Sequence, residues 1–153
     1  VEGRVFGQDG AALAGAVVHM WQTDGLAGKY KHPADPEQHL VDPEFNSWGG
    51  TVTDQNGYYR FRTVRPIAYP ADVDWMRPDH LHFMVYVGKK RVLTTQSYFE
   101  GDQWLHQDKI LLALTEGDQE SWIVQLKTQA VTWTESEGSR EMPVGSFDMI
   151  VKP

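Results

Sequence analysis

Residues 80–97 read HLHFMVYVGKKRVLTTQS, and this stretch decides the fold. Two apolar-rich runs, 81–87 and 91–97, flank Gly88-Lys89-Lys90, which predicts two β-strands closed by a tight turn. The same pattern recurs outward from this hairpin. Residues 1–6 predict a strand, Asp9-Gly10 a turn, and residues 16–22 a return strand carrying Val17, Val18, Met20 and Trp21. Residues 51–53, the turn Asp54-Gln55-Asn56-Gly57 and residues 58–63 predict a second hairpin, with Tyr59, Phe61 and Thr63 on one face; residues 146–151 predict a closing strand. With 14 Gly, 8 Pro and 12% aromatic residues in a chain of 153, short strands and turns are expected rather than long helices. An all-β fold, an antiparallel β-sandwich forming a single domain over residues 1–153, is the simplest way to bury them.

Two stretches break the strand pattern. Residues 24–46 hold three prolines and dense charge, which predicts a long irregular excursion, and such excursions often carry function. In residues 104–127, a short helix is expected at 108–114, and 121–127 suits strand or helix equally.

Composition excludes several classes. Lys plus Arg number 14 against 21 Asp plus Glu, a net charge of −7 with no basic block, so nucleic acid is not an expected partner. No apolar run approaches the roughly 20 residues of a bilayer span, so a soluble chain with no membrane partner is expected. Without cysteine there are no disulfides, thiolate metal sites or cysteine nucleophiles, and the compartment stays open. The chain begins at Val1 with no visible signal peptide, which suggests a processed or truncated form.

His80 and His82 are two apart in a predicted strand, so both imidazoles face one side and suit adjacent positions on one metal. Alone, such a pair fits two interior or surface histidines just as well. Tyr69 lies between Ala68 and Pro70, and Tyr30 within Gly28-Lys29-Tyr30-Lys31-His32. Phenols normally stay protonated, but a hard trivalent cation can hold them as phenolate, so two His and two Tyr would make a ferric site. Taken singly, each Tyr reads first as a core or rim aromatic.

The chain resembles the intradiol ring-cleaving dioxygenases, which open catechols between their two hydroxyl carbons. The resemblance runs through GAVVHMWQTD (15–24), GKYKH (28–32), DPEFNSWGGTVTDQNGYYRFRTVRPIAYP (42–70), RPDHLHF (77–83), TTQSYFEGD (94–102) and FDMIV (147–151). It implies a transthyretin-like β-sandwich with long active-site loops and little helix. It further implies Fe(III) held by Tyr30, Tyr69, His80 and His82, with Arg77 beside the substrate and Gln96 beside the reacting ring. Tyr69 would be the ligand that the substrate displaces and that takes its proton. The implied partners are a small catecholic substrate and dioxygen, and the product a muconate-type diacid that keeps both oxygen atoms.

His19, His32, His39 and His106 read as structural or exposed, Trp21 as core, and Glu100 and Asp102 as turn and salt-bridge residues. The sequence starts at Val1, so the segment that members of the family use for dimer contacts or the pocket is expected to be missing. That puts the chain nearer the protocatechuate branch and leaves the substrate and assembly, a homo-oligomer included, open. Ala71 stands where protocatechuate enzymes tend to carry Trp, and the 69–77 loop looks shortened. Two rival readings are a non-catalytic transthyretin-like binding module and a zinc hydrolase built on His80, His82 and Asp79.

Overall fold

The structure is a computed structural model that describes residues 1–31, 38–134 and 136–153. Its strands are β1 (Glu2–Gly7), β2 (Val17–Trp21), β3 (Trp48–Val52), β4 (Tyr58–Arg60), β5 (Tyr69–Asp72), β6 (Trp75–Arg77), β7 (His80–Val87), β8 (Lys90–Phe99), β9 (Ile123–Val124), β10 (Leu126–Thr132), β11 (Ser139–Gly145) and β12 (Met149–Val151). A five-stranded sheet in the order β3-β2-β7-β8-β9 and a three-stranded sheet in the order β12-β1-β4 enclose the core. The expected sandwich is therefore present, although β1–β12 and β8–β9 pair in parallel.

The strand period of two sorts the large sheet into faces. Val18 and Met20 from β2, with Leu81, Phe83 and Val85 from β7, point inward and meet Val5, Tyr59 and Met149 of the small sheet and Phe147 just before β12. The Tyr59 hydroxyl donates to the Phe147 carbonyl, so this buried phenol is satisfied within the core. The alternate positions, His19 and Trp21 on β2 and His80, His82, Met84 and Tyr86 on β7, occupy the opposite face. His80 and His82 share that face because the inward residues between and beside them claim the core.

The 80–97 hairpin forms as expected, with His80 opposite Tyr98 and His82 opposite Gln96. The 51–63 hairpin does not. Asp54 builds the turn, accepting from Asn56 N and Tyr58 N through Oδ1. Beyond it the two strands part, β3 pairing with β2 and β4 with β1. Residues 1–6 and 16–22 likewise enter different sheets. The strand predicted at 51–53 starts earlier, Trp48, Gly49 and Gly50 being part of β3.

The helix expected at 108–114 is a 3-10 turn at Leu111–Ala113, preceded by another at Leu105–Gln107. Helix α1 (Glu116–Trp122) follows, its first turn capped by the Thr115 hydroxyl, which accepts from Asp118 N. The β10–β11 hairpin was not anticipated. Among the described residues no helix is long and apolar enough to cross a membrane.

Candidate functional site

One rung of the large sheet carries the site. Trp48, Trp21, His82 and Gln96 are successive register partners across β3, β2, β7 and β8. Their side chains therefore stand side by side on the outer face. The Trp21 indole stacks on the His82 imidazole at 4.7 Å between centroids, and Trp48 stacks on Trp21 at 5.3 Å. Trp21 is thus half-buried beside the site rather than part of the core.

The His80 Nδ1 donates to the Pro78 carbonyl at 2.7 Å, a carbonyl being able only to accept. Its Nε2 is left free of a proton and lies 3.0 Å from His82 Nε2. The Tyr30 hydroxyl lies 3.1 Å from that same His82 nitrogen. Tyr69 completes the group, its ring 6.2 Å from Tyr30 and 5.6 Å from His80 between centroids. The four residues named from the sequence lie together, and the spacing of the His80, His82 and Tyr30 donors suits a single small cation. Two donors about 2.1 Å from one metal and at right angles to each other are about 3 Å apart.

Local structure explains the positions. The buried Asp24 carboxylate organises the excursion that carries Tyr30: Oδ1 accepts from Ala27 N at 2.9 Å and Lys29 N at 3.2 Å, and Oδ2 from Asp42 N at 3.1 Å. Burial alone would raise the Asp24 pKa, but these amides hold it below the usual carboxylate value. Gly28, at φ +65°, lets this loop pass over the Tyr69 segment, where a Cβ would lie 3.3 Å from Tyr69 Cβ. Tyr69 itself opens the tight β5–β6 hairpin and is the register partner of Arg77. The shortened 69–77 loop is this hairpin, with Ala71 exposed.

Arg77 is 5% exposed. Its Nε donates to Asp108 Oδ2 at 2.7 Å, and its Nη2 to Gln96 Oε1 at 2.8 Å and Tyr98 Oη at 3.3 Å. Gln96 Nε2 donates to Tyr98 Oη at 2.7 Å, so both ends of the Gln96 amide are engaged within the protein. Sequence reasoning did not single out Asp24, Tyr98 or Asp108. The Asp24-Gly25 turn signal pointed at the first; nothing local marks the other two.

Burial keeps both imidazoles neutral. His80 is lowered to about 4, by burial and then by the Arg77 guanidinium. His82 is lowered to about 3, by burial, then His80, then Arg77. Burial and the adjoining Tyr69 phenol push the Tyr30 phenol well above its ordinary value. Neutral imidazole is the form that binds a metal, and among the described residues no cluster of three His, Cys, Asp or Glu competes for one.

Other residues have other work. Asp79 is paired with Arg65 at 2.8 Å, which removes the carboxylate that a zinc hydrolase would need. Asp102 is a turn residue, accepting from Asp79 N and Trp104 N, and Glu100 accepts from Gln125. Lys31 donates to the Pro43 carbonyl. His19 packs against Trp48 and Tyr86, while His39 and His106 are exposed. His32 lies outside the described residues.

The family described as Dioxygenase matches residues 1–153. Over 121 residues, 76% of this chain and 50% of the relative, the sequence is 38% identical to a protocatechuate 3,4-dioxygenase beta chain from Burkholderia cepacia. It is 37% identical, over 71% of this chain and 42% of the relative, to catechol 1,2-dioxygenase 2 from Acinetobacter lwoffii. The structure superposes on catechol 1,2-dioxygenase from Acinetobacter sp. ADP1 with a TM-score of 0.75 at 26% identity, covering 99% of this chain and 51% of that one. The chain spans about half the length of these relatives. Matched along its full length, and sharing their sandwich, it belongs to the intradiol ring-cleaving dioxygenase family.

Proposed function

We propose that this chain is the catalytic unit of a dioxygenase that cleaves a catechol between its hydroxyl carbons, with Tyr30, Tyr69, His80 and His82 holding ferric iron. The observation that carries the reading is the convergence of His80 Nε2, His82 Nε2 and the Tyr30 hydroxyl at spacings of 3.0 and 3.1 Å. The donor set fits that ion: two neutral imidazoles supply nitrogen ligands, and the Tyr30 phenol, which burial pushes above its ordinary value, needs a strong positive charge to ionise.

When bound, the ferric ion supplies the Lewis acidity that lets a catechol bind ionised. The residues do the rest. Tyr69, which the ion would hold as phenolate, would take a proton on Oη from the entering diol as general base. Arg77 stabilises negative charge developing on the ring, in a setting shielded from water. Gln96 acts through Arg77, to which its amide oxygen is bound. Trp21 fixes the plane of His82. The exposed Ala71 leaves the β5–β6 side of the site open to a ring substituent.

The test is oxygen uptake by iron-loaded protein with a panel of catechols, with the products identified by mass. A red-brown colour and a product heavier than its substrate by two oxygen atoms are expected. A colourless, inactive protein after iron loading would overturn the reading in favour of a binding module.

A further inference from the structure

Asp108 lies outside the large sheet, just after the Leu105–Gln107 turn, yet its side chain is 0% exposed. Its Oδ2 accepts from Arg77 Nε at 2.7 Å. Its Oδ1 accepts from Tyr98 Oη at 2.8 Å, Leu111 N at 2.8 Å and Ile110 N at 3.1 Å. Tyr98 in turn accepts from Gln96 Nε2 and Arg77 Nη2, which closes a buried ring of four side chains.

This ring has a directional effect on Arg77. Nε and Nη2 are engaged with protein, while among the described residues no hydrogen bond leaves Nη1. A planar guanidinium held at two corners has its third corner aimed by the geometry of the other two. The carboxylate also offsets a positive charge that would otherwise be buried alone, the kind of burial a protein tolerates poorly.

We infer that Asp108, assisted by Tyr98, is a positioning residue that fixes the Arg77 guanidinium so that Nη1 meets the charge developing on the substrate ring. The inference rests on the ring-cleavage reading above. It makes the 105–113 segment a part of the site although none of its side chains is a metal ligand. Ile110 N and Leu111 N bind the same carboxylate, so the fold of that segment and the aim of Arg77 are set by one group.

Asp108→Asn separates the two roles. The Asn oxygen can still accept from Tyr98, Ile110 N and Leu111 N, but its amide N–H would face the Arg77 Nε–H, donor against donor. The iron-loaded variant should keep its metal, its colour and its anaerobic catechol affinity. Its later, oxygen-dependent step should slow by about 10- to 100-fold, the scale of a displaced catalytic group. Tyr98→Phe should show a smaller loss at the same step.

Val5→Ala is the control, because it loosens the sandwich core from a buried position on β1, away from the 105–113 segment and its charges. It should melt earlier while keeping its single-turnover rate. Independently of turnover, the Arg77 Nε–H of metal-free, nitrogen-15-labelled protein should exchange slowly in the wild type and faster in Asp108→Asn.

Wild-type turnover by Asp108→Asn, or an equal slowing in Val5→Ala, would overturn the inference. If the wild type cleaves no catechol, the ring-cleavage reading falls by itself. The exchange measurement then decides whether Asp108 orients Arg77.

Discussion

The Trp21 indole and the His82 imidazole lie parallel, 4.7 Å between centroids and 6° between planes. A metal-binding imidazole is ordinarily oriented by a hydrogen bond from its second nitrogen, as His80 is by Pro78. For His82 no such bond is found among the described residues, and the stacked indole takes over the orienting role. Trp21→Ala should lower iron affinity by about tenfold, the lower end of the range for losing a supporting group. Competition with a chelator measures it, and unchanged affinity would remove Trp21 from the site.

Tyr30 and Tyr69 should respond differently to loss of their hydroxyls. Tyr30→Phe removes the donor 3.1 Å from His82 Nε2 and should lose iron or colour. Tyr69→Phe should keep iron with an altered colour and still bind catechol. Its turnover should fall by on the order of 10²-fold or more, the scale of a lost general base. Stopped-flow absorbance distinguishes the two, and wild-type turnover by Tyr69→Phe would exclude the displaced-ligand mechanism.

Gly28 and Gly10 both have positive φ, +65° and +79°, but only Gly28 has neighbours that an added Cβ would meet. Gly10→Ala should cost about 1 kcal/mol from backbone strain alone. Gly28→Ala should cost more, and it should also weaken iron binding because the Tyr30 loop must lift away from Tyr69. Denaturant melts of the two variants, paired with iron titrations, check the difference.

The two imidazoles make the metal-free protein sensitive to acid. Their pKa values in the folded chain are lowered to about 4 and about 3, so an unfolded chain binds protons first as pH drops through about 6.5. Stability from these groups is therefore present at neutral pH. It is lost as pH falls from about 6.5 toward the folded values. Between pH 7 and 5 the loss should be on the order of 2 kcal/mol for each imidazole, about 4 kcal/mol for the pair. Urea midpoints should show this slope in the wild type and a flatter one in the His80→Gln, His82→Gln double variant.

The Tyr59 hydroxyl tests the core rather than the site. It donates to the Phe147 carbonyl across the sandwich, and Tyr59→Phe leaves that buried carbonyl unpaired. A loss of about 1 to 3 kcal/mol is expected in thermal or urea unfolding, with iron binding unchanged.

What could be read from the sequence follows the range of each signal. The 80–97 hairpin and the common face of His80 and His82 were legible because strand alternation and turn chemistry act over a few residues. The turn at Asp54–Gly57 was legible for the same reason, but the destination of each flanking strand was not, since β3 and β4 choose partners far away. The β10–β11 hairpin escaped notice because most of its residues are exposed on both faces, so no alternation marks them. Tyr30 and Tyr69 needed the wider family pattern, their spacing alone being uninformative. Asp108 is separated from Arg77 by 31 positions, and nothing around it distinguishes it from the other carboxylates of an acidic chain.

The pairing of β1 with β12 sets the order in which this protein can be made. β1 lies between β4 and β12, with Val5 in register with Met149, so among these strands the earliest made waits for the latest. Until then its second edge stays open, and Phe147 and Met149 are missing from the core. The sandwich therefore closes only once β12 is present, at the slow pace of a chain dominated by distant contacts. Loss of β12 would unpair β1 as well, about 140 positions away in sequence but adjacent in the sheet.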